Sequence, residues 1–68
     1  MQVTIYTMTH CPQCKRMKEM LSDKHIDFTE CNDYDVMASK GIHYVPMLEV
    51  DGVLMDTQEA FRYIEEVE

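Results

Sequence analysis

Val3 and Ile5 alternate with polar neighbours inside a run of β-formers, Gln2 to Thr7. That period of two predicts a strand with Val3 and Ile5 facing inward. After a turn over Thr9 to Cys14 the period lengthens. Cys14, Met17, Met20 and Leu21 recur at helical spacing, which predicts a helix from Pro12 to about Asp23 with these residues as its buried stripe. Pro12 suits the first helical turn, where its missing N–H costs nothing. Ile26 to Cys31, centred on Phe28, is expected to form a second strand, parallel to the first because a helix connects them. Asn32 to Lys40 suits a short helix carrying Val36, Met37 and Tyr34 as apolar residues, with Gly41 as a left-handed residue beyond its end. Met47 to Val50 and Val53 to Met55 flank Asp51-Gly52, and an Asp-Gly pair between apolar runs predicts a hairpin with a type I′ turn. Asp56 is placed to cap a last helix, with Glu59 reaching back to it. Ala60, Phe61, Ile64 and Val67 would form that helix's inner face. The predicted order is β-α-β-α-β-β-α: an α/β chain with a four-stranded mixed sheet covered by helices.

The chain has 68 residues, which sets the expectation of one domain, 1–68. Seven methionines soften a core that is small to begin with. No basic, apolar leader opens the sequence, and no apolar stretch approaches the ~18 residues of a membrane span. A cytoplasmic, reducing location is the expectation. The formal charge of −7 disfavours nucleic acid as a partner. The basic residues are unevenly placed, with Lys15, Arg16 and Lys18 directly after Cys14. They form either a solvated helix face or a local positive field near a thiolate. Nothing in the sequence demands more than a monomer.

Three cysteines in such a compartment do not make a staple framework. Cys11-Pro12-Gln13-Cys14 lies between a predicted strand and a predicted helix. Two intervening residues on a first helical turn bring the sulfurs within bonding distance. Cys11 sits at the helix N-terminus, where free N–H groups and the dipole favour an anion. The thiolate is the nucleophile, and this setting lowers its pKa. Cys11 is thus expected to attack a substrate disulfide, and the more buried Cys14 to resolve the mixed disulfide. The same helix end stabilises the reduced form and makes the couple more oxidising.

A zinc or iron–sulfur module is the alternative. Cys11, Cys14, Cys31 and one of His10, His25 or His43 could supply four ligands. Against it, the chain has one close cysteine pair where structural zinc sites use two ligand pairs. Cys31 at a strand end reads more simply as a small buried hydrophobe. No resident metal or tightly bound cofactor is therefore expected.

Ile5-Tyr6-Thr7, Cys11-Pro12-Gln13-Cys14, Val45-Pro46 and the closing hairpin and helix together resemble the glutaredoxin branch of the thioredoxin superfamily. The resemblance covers nearly the whole chain. It implies a thioredoxin-like fold and dithiol–disulfide oxidoreductase activity, with Cys11 as nucleophile and Cys14 as resolving thiol. It also implies a cis Pro46 against the redox pair. Substrate or glutathione would lie along His10, Pro12 and Gln13, then Tyr44, Val45 and Pro46, then Asp56, Thr57 and Glu59. Glutathione is implied as a co-substrate. Two features depart from the glutathione-using pattern: Met8 stands where a lysine is common, and Asp56-Thr57 where two glycines are usual. Gln13 is similar to redoxins that reduce ribonucleotide reductase and draw electrons from thioredoxin reductase. The implied partners are a disulfide-containing protein, ribonucleotide reductase among the candidates, and one of these two electron donors.

Overall fold

The computed structural model describes residues 1–67. Seven elements follow in the expected order: β1 (Val3–Tyr6), α1 (Pro12–Asp23), β2 (Thr29–Cys31), α2 (Tyr34–Ser39), β3 (Met47–Val50), β4 (Val53–Met55) and α3 (Thr57–Glu66). The sheet order is β2-β1-β3-β4. β2 runs parallel to β1, whereas β1–β3 and β3–β4 are antiparallel.

Register decides what each face buries. Val3 pairs with Val50 and Ile5 with Leu48, so these four side chains share one face. α1 and α3 cover that face with Met17, Leu21, Ala60 and Ile64, and the eight residues form the main core. Tyr6 pairs with Met47 and points the other way. There it joins Met37 of α2 and Ile42 in a smaller cluster, with Cys31 and Val45 partly buried against it.

Several local expectations hold in detail. Pro12 opens α1, and Cys14, Met17 and Leu21 are its buried residues, with Met20 packed partly against the core. Asp51 and Gly52 both take positive φ, 50° and 86°, as a type I′ turn requires. Gly41 has φ 74° just beyond α2.

Other expectations need correction. β1 is shorter than Gln2–Thr7 at both ends. β2 begins at Thr29 rather than Ile26, and its partners on β1 are Thr4, Ile5 and Tyr6. Ile26 and Phe28 still pack on the main core, from the loop before the strand. α2 is also shorter than Asn32–Lys40: Asp33 caps it, accepting from Asp35 and Val36 N–H groups. Only Met37 of α2 is buried, and Tyr34 and Val36 face solvent. Val67 lies just past α3 as its C-cap and is half-buried.

Candidate active site

β1 ends where the chain must turn into α1. Thr7, buried beside the sheet, donates its N–H to the Cys31 carbonyl at 2.9 Å. Met8 and Thr9 then leave the sheet, and His10 takes φ 58°, a left-handed conformation uncommon for a residue with a side chain. This bend delivers Cys11 to the N-cap of α1. The Cys11 carbonyl accepts from Lys15 N–H at 3.2 Å, the first helical bond. Cys11 Sγ accepts from Cys14 N–H at 3.1 Å.

Cys11 and Cys14 are joined as a disulfide, with their Cα atoms 5.2 Å apart. The two sulfurs are not equivalent. Cys11 is half-buried, whereas Cys14 is 2% exposed beneath it. An incoming disulfide therefore meets Cys11, and Cys14 can reach Cys11 but not bulk solvent. No acidic side chain stands in the first turn of α1 to oppose a thiolate there.

An open groove of about 780 Å³ leads to the pair. Cys11, Cys14, His10 and Pro12 line it together with Met8, Lys15, Lys18 and Glu30. A second cleft, about 380 Å³, is lined by Met8, Tyr34, Ile42, His43, Tyr44 and Val45. Met8 lines both clefts. Tyr44 is exposed and Val45 half-buried. Pro46 is fully buried, follows a cis bond from Val45, and accepts from the Thr57 hydroxyl at 2.7 Å.

The structure thus brings His10 and Pro12 to the wall of the redox groove, and Tyr44 and Val45 to the wall of the second cleft. Gln13 is exposed on α1 outside those walls. Asp56 and Glu59 are occupied with each other. Asp56 Oδ1 accepts from Glu59 N–H at 2.8 Å, and Glu59 Oε1 accepts from Asp56 N–H at 3.2 Å, a complete capping box. The Thr57 hydroxyl is spent on Pro46.

The alternative ligand set is not assembled: among the described residues no three His, Cys, Asp or Glu side chains gather to hold a metal. Cys31 is a free cysteine packed against the Tyr6 cluster.

Two polar clusters were not anticipated. Glu30 Oε2 accepts from the Thr7 hydroxyl at 2.7 Å and from Lys18 Nζ at 3.1 Å. The Thr7 hydroxyl first, then Lys18, holds the Glu30 carboxyl below the usual range. On the other face, Glu49 Oε1 accepts from the Tyr6 hydroxyl at 2.6 Å and lies 3.3 Å from Lys40 Nζ. Burial, and then Glu49, pushes the Tyr6 phenol above its ordinary range. Glu30 pairs with Ile5, which puts it on the α1 face of the sheet, a register that no local sequence pattern specifies.

Comparison with known proteins agrees with this geometry. The family model described as Glutaredoxin matches residues 3–55. A curated relative from Clostridium pasteurianum, an uncharacterised glutaredoxin-like 8.6 kDa protein in the rubredoxin operon, is 35% identical over 57 residues. That match spans 74% of this chain and 76% of the relative. The crystal structure of a glutathione S-transferase from Xanthobacter autotrophicus Py2 superposes with a TM-score of 0.72 over 96% of the chain. Identity there is 21%, and the chain spans 37% of that protein's length, so the likeness is one of fold.

Proposed function

The chain belongs to the glutaredoxin family and has its thioredoxin-like fold, and from that premise we propose that it is a dithiol–disulfide oxidoreductase acting through Cys11 and Cys14. The carrying observation is the unequal placement of the two sulfurs, with an accessible one at a helix N-terminus over a buried one.

In the reduced protein the Cys11 thiolate attacks one sulfur of a substrate disulfide. That S–S bond breaks, one substrate thiolate leaves, and a Cys11–substrate disulfide forms. Cys14 passes its proton to the released substrate thiolate, and its sulfur then attacks Cys11 Sγ and expels the second substrate thiolate. Two electrons have moved from the dithiol to the substrate, and the Cys11–Cys14 disulfide remains to be reduced by a donor. The N–H of Cys14 that reaches Cys11 Sγ is a donor already aimed at the thiolate.

A protein disulfide is the favoured substrate. The cleft that shares Met8 with the redox groove presents Tyr34, Tyr44 and Val45, an aromatic and apolar wall suited to a polypeptide segment. Ribonucleotide reductase is one candidate of this class. The rubredoxin operon in the relative's name supports an electron-transfer setting. The donor is glutathione or thioredoxin reductase, in a reducing compartment, and the protein works as a monomer without a resident cofactor.

Coupled turnover tests the proposal. NADPH loss is followed with a disulfide substrate, once with glutathione and glutathione reductase and once with thioredoxin reductase. Turnover in either assay, abolished by Cys11→Ser, is expected. Cys14→Ser should accumulate a mixed disulfide visible by mass spectrometry. Silence in both assays would overturn the proposal, and the active assay identifies the donor.

A further inference from the structure

The proposed chemistry uses Cys11 and Cys14 but leaves a charged cluster in the same groove without a role. Lys18 lies on α1 two turns beyond Cys11, so it falls on the helix face that carries Cys11 and Cys14. Its ammonium meets Glu30 Oε2 at 3.1 Å. Glu30 is fixed in turn by the hydroxyl of Thr7, a residue 1% exposed at the end of β1. Lys18, Glu30 and Thr7 line the redox groove together with both cysteines. The other titratable groups on that wall are His10 before α1 and Lys15 on it, and Lys15 and Lys18 also border a neighbouring cleft with Glu19 and Asp23. The acidic groups at the start of α3, Asp56 and Glu59, are tied up in their capping box.

We propose that Glu30 is a positioning residue for the redox pair: it holds the Lys18 ammonium in the groove wall and offsets its charge there. The attraction of Lys18 for a Cys11 thiolate is then balanced by the repulsion of Glu30, and the N-terminus of α1 is left to set thiolate stability. A freed Lys18 would stabilise the thiolate further and make the couple more oxidising, while an unopposed Glu30 would do the reverse. The pair thus keeps the protein a reductant. This rests on the dithiol proposal above.

The two charges act with opposite sign, and that is the test. Glu30→Gln keeps an oxygen for the Thr7 hydroxyl and removes only charge. Lys18→Met keeps the aliphatic stem. The pH dependence of iodoacetamide alkylation is followed at Cys11 by peptide mass spectrometry in the reduced proteins, with circular dichroism confirming the fold. In Glu30→Gln the midpoint should fall by roughly half a pH unit, and in Lys18→Met rise by a similar amount, small because both side chains are partly solvated. The double variant should return to the wild-type midpoint. Single variants with unmoved midpoints, or midpoints moved in one direction, would overturn the proposal. Alkylation reads the Cys11 thiolate whether or not a substrate turns over, so failure here is distinct from failure in the coupled assays.

Discussion

Tyr6 carries its hydroxyl to Glu49 across two strands, and the buried end of that bond makes it a stability element. Tyr6→Phe should cost about 1 kcal/mol in urea unfolding, because Glu49 keeps Lys40 and some water as partners. The pH dependence follows from the same contact. The Tyr6 hydroxyl first, and Lys40 after it, holds the Glu49 carboxyl below its ordinary value. The unfolded chain therefore binds this proton more readily than the folded one. The contribution is complete above the unfolded carboxyl pKa, about 4.3, and is lost as pH falls through the lower folded value. Glu49→Gln should flatten the acid limb of a stability–pH curve and leave less stability to lose below that value. An unchanged acid limb would show that Glu30 and other carboxylates dominate it. Cys31 makes a second contrast. It packs beside Tyr6 and not in the redox groove, so Cys31→Ser should leave turnover unchanged and lower stability modestly. At this scale the redox pair was legible because its spacing is local. The Tyr6–Glu49 and Thr7–Glu30 contacts were not, because each depends on strand register that no local pattern specifies.

α3 shows how a few terminal residues govern an element. Its first turn closes the capping box between Asp56 and Glu59, and its inner face sends Ala60 and Ile64 into the main core. Asp56→Ala should cost about 1 kcal/mol of global stability by thermal or urea unfolding. A loss confined to local fraying would mean that core packing holds α3 without its cap. Thr57 extends the same helix end to the site through the Pro46 carbonyl. Thr57→Val should raise KM for a disulfide substrate several-fold with little change in kcat, since it loosens the loop beside the cleft and touches neither cysteine. The elements legible in advance were those with strong local signals: α1 with its stripe, the Asp51-Gly52 hairpin, and α3 with its cap. β2 and α2 are shorter than their local patterns predict, each for its own reason. Ile26 and Phe28 alternate as a strand would, yet they pack on the core from a loop, and only Thr29–Cys31 pair with β1. Tyr34 and Val36 are apolar at helical positions, yet six residues of helix bury only Met37.

At the scale of the whole molecule, charge is out of balance. Thirteen acidic residues face six basic ones, for a formal charge of −7. Among the described residues there are two ion pairs, Lys18–Glu30 and Lys40–Glu49, both partly solvated. Exposed pairs of this kind contribute about 0–1 kcal/mol each, and the net charge of −7 works against the compact state by self-repulsion. A chain of this length draws on one small core, and its net stability is correspondingly slight. Raising ionic strength from 0.01 to 0.15 M shortens the screening length from about 30 to about 8 Å. The melting temperature should therefore rise by a few degrees, since about 1 kcal/mol moves a domain of this size by about 4–8 °C. A fall would mean that the two ion pairs carry more than their exposure allows. The redox groove is the exception to the general charge, with Lys15 and Lys18 on its wall against Glu30 alone. Salt should then act oppositely on partner encounter, slowing reduction of a substrate with acidic residues near its disulfide while it stabilises the protein. Measuring both effects on one salt series separates the field of the groove from the field of the whole chain.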